Sequence, residues 1–302
     1  MSAGAAAGSG NIQVWGNVGA VYFSYRNIDE VRHTMKIKAL STRRQALIGG
    51  AALLVASLPF SAAHAADSVL DDILADGKLL VGTTGDWDPM SMKDPATNTY
   101  KGYDIDVVTE LAKDLEVEVE FVATDWKTLV NGIAAGKYHM TGSASISPAR
   151  AKAAGYTDSY FSLATVPLTL KKNEGVFNDW ADLDNAEVTV AATLGTTQEQ
   201  QVKDFFPSAE HKIIEAPARD FQEVLAGRAD AHITSNVEAY KLVAKYEELM
   251  VVPVAEPKAR TPIAMLVPQG DQVWINYLNT WIKLKTERGF FDELGTKWQL
   301  SN

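Results

Sequence analysis

Ser143, Ser145 and Ser147 stand at alternate positions in the stretch GSASISPAR (142–150), which continues into Pro148 and Arg150. In an extended strand alternate side chains share a face, so Ser143 and Ser145 would line one side while Ala144 and Ile146 pack behind. Ser147 before Pro148 has the form of a helix N-cap with proline in the first helical position, which puts Arg150 in the first turn. Hydroxyls, free amide N–H groups and a guanidinium then converge where strand meets helix, a seat suited to a carboxylate. A capped helix carrying a solvent-exposed arginine is the plainer alternative, since capping alone accounts for Ser147.

Three other stretches could contribute chemistry. GTTGDWDP (82–89) gathers Thr84, Asp86 and Trp87 in a turn after a strand pattern, and Trp126 lies in TDWKTLV. Either tryptophan is a core aromatic or a face on which a flat ligand stacks. LGTTQEQQ (194–201) opens a helix with Thr196 or Thr197 as its cap. Its amide N–H groups could face Arg150 across a cleft, although a capping box also explains it. In HITSNVEA (232–239), Ser235 and Glu238 have capping-box spacing. Alternatively Glu238 points into a desolvated cleft, its pKa raised, and serves as a general acid. His139, His211 and His232 lack metal-ligand spacing, no nucleophile–base pair is visible and the chain has no cysteine. These features argue against a hydrolase or a metalloenzyme, and no metal or cofactor is expected.

The elements that must position these residues alternate strand and helix. KLLVGTT (78–84) reads as a buried strand. DIDVVTELAKDL (104–115) puts Val107, Val108, Leu111, Ala112 and Leu115 on one helical face, and EVEVEFVA (116–123) has strand alternation. WKTLVNGIAAGK suits a short helix ending at Gly136. After LATVPLTLKK the pattern starts again through EVTVAATLG, HKIIEAP, DFQEVLAGR, DAHIT, VEAYKLVAKY and LMVVPV. The predicted fold class is therefore α/β, with parallel sheets covered by helices on both faces. GIAAGKYHMTGS and EVLAGRADAHITS echo each other, which suggests two similar lobes. Residues 160–172 and 258–268 are the extended segments expected to cross between them as a two-strand hinge, with the ligand cleft at the strands' carboxyl ends. The helical tail VWINYLNTWIKLKTERGFFDEL is expected to pack back on the first lobe. The expected organisation is lobe 1 over 66–163 plus 264–302 and lobe 2 over 164–263.

The N-terminal part reads differently. From Met35 a basic start, an apolar run from Ala46 to Leu58 and Ala63-His64-Ala65 form a secretory signal peptide over 35–65, with cleavage expected after Ala65. Thr42-Arg43-Arg44 also approximates a twin-arginine signal, so either the Sec or the twin-arginine route is open. Residues 1–34 are read as a spurious or disordered extension. Beyond residue 65 the chain keeps 22 Lys and Arg against 36 Asp and Glu, a formal net charge of −14. Such a surface repels nucleic acid and anionic lipid, so neither is expected as a partner. The expected product is a soluble periplasmic monomer.

Taken together, the signal peptide, GTTGDW, GYDID, GSASISPAR, LGTTQE and the Trp-rich tail resemble the periplasmic solute-binding proteins of family 3, the amino-acid-binding components of ABC importers. The resemblance spans residues 68–300 and implies the two-lobed type II fold, with ABC permease membrane subunits and a small carboxylate-bearing solute as partners. It implies that Arg150 holds the solute's carboxylate with help from Ser143, Ser145 and Thr197, while Trp87 and Trp126 enclose the remainder. Amino-acid binders of the family carry an Asp where this chain has Ser235, and often where it has Thr84. A neutral serine cannot replace that charge, so the resemblance points to an organic or keto acid, or to an amino acid whose ammonium is met elsewhere, for example by Asp86. GTTGDW and Glu238 also resemble the periplasmic cyclohexadienyl dehydratases, which share the fold; there the Glu protonates a departing hydroxyl.

Overall fold

The computed structural model describes residues 68–300. The readings of 1–34 as an extension and of 35–65 as a signal peptide cleaved after Ala65 lie outside the described residues.

The first sheet is parallel and three-stranded, with Lys78–Thr83 between Glu118–Ala123 and Met140–Thr141. The helix Tyr103–Asp114 covers it, and all five residues of the expected apolar stripe are buried. Asp104 lies on the same stripe, since 104, 107, 108 and 111 follow the i, i+3, i+4, i+7 spacing of one helical face. The short helix Leu129–Ala134 ends near Gly136, whose φ of +64° is the left-handed conformation that stops a helix cheaply only at glycine.

The second sheet is eight-stranded. Thr189–Thr193 pairs in parallel with Glu210–Ile214 and Ala231–Ser235. Two ten-residue strands, Phe161–Leu170 and Lys258–Val267, then continue the sheet in antiparallel sense. These are the two long crossing segments of the chain. The sheet does not end with them. Ser143–Ser145 pairs antiparallel with Lys258–Val267, Ser143 opposite Met265 and Ser145 opposite Ile263. The expected α/β architecture with two long linking strands is present, and in detail the chain leaves the parallel sheet after Thr141, so that the opening stretch joins the sheet that carries those strands.

After Val267 no strand follows among the described residues; the helices Gln272–Glu287 and Phe290–Lys297 pack against the helix Tyr103–Asp114. Trp281 donates its indole N–H to Asp114 at 2.7 Å and Trp298 to Asp106 at 2.6 Å, while Lys285 pairs with Glu110 and Asp114 at 2.6 and 2.8 Å. The apolar interior is divided accordingly. One core holds Val81, Tyr103, Leu111, Met140, Trp274 and Leu278; another holds Val190, Val202, Phe206 and Ile233.

Candidate functional site

The carboxyl ends of the parallel strands of both sheets face one another across a cleft of about 480 Å³, part of it open to solvent. Trp87, Trp126, Ser145 and Arg150 line it from one side; Thr196, Thr197, Arg219 and Glu238 line it from the other.

Arg150 occupies its position because Ser147 caps the short helix Pro148–Ala151, its hydroxyl accepting the Arg150 amide at 3.3 Å. The arginine is 8% exposed. Its Nη1 donates to the backbone oxygen of Ser145 at 3.3 Å and its Nη2 to that of Gly195 at 3.0 Å. Among the described residues no carboxylate lies within ion-pair distance, and burial lowers its pKa. A buried guanidinium held only by neutral groups, two backbone carbonyls and the Tyr156 hydroxyl, is a cation awaiting an anion. The contact to Gly195 crosses the cleft. Gly195 has φ of +81°, and a Cβ there would fall 2.5 Å from the backbone of Lys127, so only glycine permits this approach of the two sides.

The opposite wall has its own arginine, which the sequence patterns did not single out. Arg219 precedes the helix Asp220–Leu225; its Nη2 donates to Glu238 at 2.7 Å, and its Nη1 pairs with the Asp86 carboxylate at 3.2 Å and hydrogen-bonds the Asp86 carbonyl. Burial opposes its charge, but the carboxylates of Glu238, Asp86 and Asp220 outweigh that and raise its pKa. A usable signal did exist: Arg219 follows the strand pattern HKIIEAP, where cleft residues collect in this architecture.

Glu238 resolves its two readings unequally. Ser235 caps the helix Asn236–Lys245 by accepting the Glu238 amide at 3.3 Å, which is half of a capping box. The Glu238 carboxylate does not complete the box, because it accepts hydrogen bonds from Arg219 and Thr234 inside the cleft. Burial raises its pKa, against the opposing pull of Arg219.

Other expected contacts are placed differently. Ser143 lies behind the cleft, its hydroxyl donating to Asp104 at 2.5 Å and bonded to Tyr160 at 2.9 Å. Asp86 is engaged by Arg219 and by the Trp126 indole N–H at 3.1 Å. Ser235, besides capping, accepts the Trp87 indole N–H at 3.4 Å. Thr84 faces a second cavity, with its buried hydroxyl unpartnered. In this structure protein partners engage Ser143, Asp86 and Ser235, and Thr84 lines the cavity behind the tryptophans. Thr196 caps the helix Thr197–Phe205 by accepting the Glu199 amide at 3.3 Å, leaving Thr197 in its first turn on the cleft.

The profile of the bacterial extracellular solute-binding proteins, family 3, matches residues 79–301. The chain belongs to this family. Cyclohexadienyl dehydratase from Pseudomonas aeruginosa is 27% identical over 245 residues, 81% of this chain and 91% of that protein. L-cystine-binding protein TcyJ from Escherichia coli is 24% identical, over 84% of this chain and 95% of TcyJ. Among solved structures, the ancestral amino acid-binding protein AncCDT-1, described as a precursor of cyclohexadienyl dehydratase, is 36% identical with a TM-score of 0.70, covering 77% of this chain and 99% of its own. A binding component of an ABC transporter from Wolinella succinogenes, complexed with lysine, is 27% identical with a TM-score of 0.69, covering 75% and 97%. The fold is thus the two-lobed type II periplasmic binding protein.

Proposed function

We propose that this chain is the substrate-binding protein of an ABC importer, that it closes on a small carboxylate-bearing solute, and that Arg150 anchors the carboxylate. The observation that carries this reading is the buried Arg150 guanidinium, which lines the cleft and, among the described residues, meets backbone carbonyls and the Tyr156 hydroxyl but no carboxylate. Ser145, Thr196 and Thr197 supply hydroxyl and amide groups beside it, and Trp87 and Trp126 form an edge-to-face pair 5.6 Å apart that walls in the rest of the solute. Relatives that bind amino acids support the reading. Lobe 1 is taken as 66–163 plus 264–302 and lobe 2 as 164–263. The mature protein starts after Ala65, reaches the periplasm through the leader 35–65 by the Sec or twin-arginine route, acts as a monomer and delivers its solute to membrane permease subunits.

The test begins with a thermal-shift screen of amino acids and organic acids, in which a solute at 100 times its Kd adds about 2.7 kcal/mol of stability. On the best solute, Arg150→Ala should weaken binding at least about thirtyfold by calorimetry, since losing one partner of a buried charge pair costs about 2–5 kcal/mol. Arg150→Lys should recover little, because a point charge lacks the planar fork. Unchanged affinity in Arg150→Ala would remove Arg150 from the site.

A second reading is favoured by one observation: the Glu238 carboxyl stands buried in the same cleft with its pKa raised. A dehydratase would use it to protonate the hydroxyl of a cyclohexadienyl acid. The hydroxyl leaves as water, the ring carboxylate leaves as carbon dioxide, and the electron pair of the broken C–C bond aromatises the ring. The binder reading predicts no protein-dependent phenylpyruvate from prephenate. Turnover that falls by about two to four powers of ten in Glu238→Gln would replace it with the dehydratase.

A further inference from the structure

Where the two sides of the cleft meet, one guanidinium serves more carboxylates than it can neutralise. Arg219 Nη2 lies 2.7 Å from Glu238 Oε1 and its Nη1 lies 3.2 Å from Asp86 Oδ2, while Asp220 follows it in the chain and lines the same cleft. Glu238 and Asp220 are both buried, at 5% and 4% exposure. Arg219 and Glu238 belong to one wall and Asp86 to the other, so the Asp86 contact exists only while the cleft is closed.

The remaining groups around Glu238 do not restore the balance. His232, on the strand Ala231–Ser235, has its Nδ1 3.5 Å from the Asp220 carboxylate, and Arg150 lines the cleft from the side of Asp86. Thr234 donates its hydroxyl to Glu238 Oε2. Among the described residues Arg219 is the cation within ion-pair distance of Glu238, and Asp86 shares it. A buried carboxylate in excess of its cations is stabilised by taking up a proton. Burial opposes the charge of Asp220, but His232 and Arg219 outweigh that and lower its pKa. Burial raises the pKa of Glu238, and Arg219 offsets this only in part. Of these two acids the proton therefore falls to Glu238.

We infer that closure of the cleft is linked to a proton: protonation of Glu238 releases Arg219 to Asp86 across the cleft, so the lobes close more readily as the pH falls. While Glu238 is ionised it competes with Asp86 for the guanidinium; once neutral it leaves the charge of Arg219 to Asp86. Opening takes Asp86 away and admits water, so in the open form Glu238 keeps Arg219 to itself and holds a proton less tightly. The closed form binds that proton more tightly than the open one. Its advantage is present at low pH and is lost as the pH rises through the closed-form pKa of Glu238. The linkage rests on the two lobes closing, not on Arg150 as an anchor, and it requires no solute.

X-ray scattering of the solute-free protein at pH 5 and pH 8 tests it. The wild type should have the smaller radius of gyration at pH 5. Glu238→Gln, which keeps the shape of the neutral acid, should be as compact at pH 8 as the wild type is at pH 5. Asp86→Ala, which removes the contact that the proton strengthens, should be expanded at both values and serves if Glu238→Gln does not fold. The two variants thus lose the pH dependence in opposite directions, which a general loss of stability would not produce. Asp104, whose pKa of about 7 lies in the same range, is present in all three proteins and cancels in the comparison. A wild-type radius that is equal at the two values or larger at pH 5 overturns the inference. So does a Glu238→Gln protein that keeps the pH dependence or stays expanded at both values, or an Asp86→Ala protein as responsive to pH as the wild type. Failure of the Arg150 reading looks different: it would appear in solute affinity and leave these radii unchanged.

Discussion

Asp104 makes a prediction at the scale of one residue that requires no ligand. Its pKa rises from 3.8 to about 7 on folding because burial penalises the charged form, an effect the Ser143 hydrogen bonds only partly offset. Between those two values the folded chain binds the proton more tightly than the unfolded chain. Stability from this group therefore falls as pH rises from about 4 to about 7, by at most about 1.4 kcal/mol per pH unit, and is flat above. Asp104→Asn cannot ionise, so it should lack that component of the slope and gain on the wild type at pH 8 relative to pH 5. Urea unfolding at pH 5, 6, 7 and 8 measures it. Parallel stability curves for the two proteins would mean that Asp104 is ionised, or compensated, in the native state. The same group shows what a single sequence can hide: the stripe read from the chain was Val107, Val108, Leu111, Ala112 and Leu115, and only the folded chain shows that Asp104 is buried beside it with no cation among the described residues.

At the scale of elements, what could be read from the chain was whatever depends on local pattern. The stripe from 104 to 115 became the helix Tyr103–Asp114, and the extended segments 160–172 and 258–268 became strands Phe161–Leu170 and Lys258–Val267. Cap chemistry was equally local, and Ser147, Thr196 and Ser235 each cap a helix. Pairing was not legible, because it is set by distant chain. Alternation in GSASIS says that a strand forms but not that it breaks at Gly142 and pairs more than 100 residues away with Lys258–Val267. That break explains why Ser143 and Ser145 differ. Ser143 is drawn back to Asp104 and Tyr160, while Ser145 lines the cleft and gives its carbonyl to Arg150. The Glu238 side chain illustrates the same limit. The spacing Ser235–Glu238 satisfies a capping box on paper, but a guanidinium brought in from residue 219 competes for the carboxylate, and an ion pair with a buried cation outmatches a bond to a neutral backbone N–H.

At the scale of the whole molecule, polar contacts that join the two sides of the cleft include Arg219 with Asp86, Trp87 with Ser235, Arg150 with Gly195, and Lys127 with Glu215 at 2.7 Å. They are not equal. Lys127 and Glu215 are both more than half exposed, and such pairs contribute about 0–1 kcal/mol. Arg219 is buried, so parting it from Asp86 on opening leaves its guanidinium with Glu238 alone, in a wall it cannot easily leave. Arg219 and Asp86 therefore form the contact that most favours closure before any solute arrives. Asp86→Ala removes the carboxylate while sparing the Arg219–Glu238 pair, so it separates latch from cleft wall. Solution X-ray scattering of the solute-free variant should show a larger radius of gyration than the solute-free wild type, and saturating solute should bring the two to the same value. Solute association should also be faster in the variant, because a lobe pair that starts open has no contact to break before the solute enters. Superimposable scattering of the two solute-free proteins would show that closure is set by the crossing strands and the Gly195 approach, and that the Asp86–Arg219 pair follows closure without driving it.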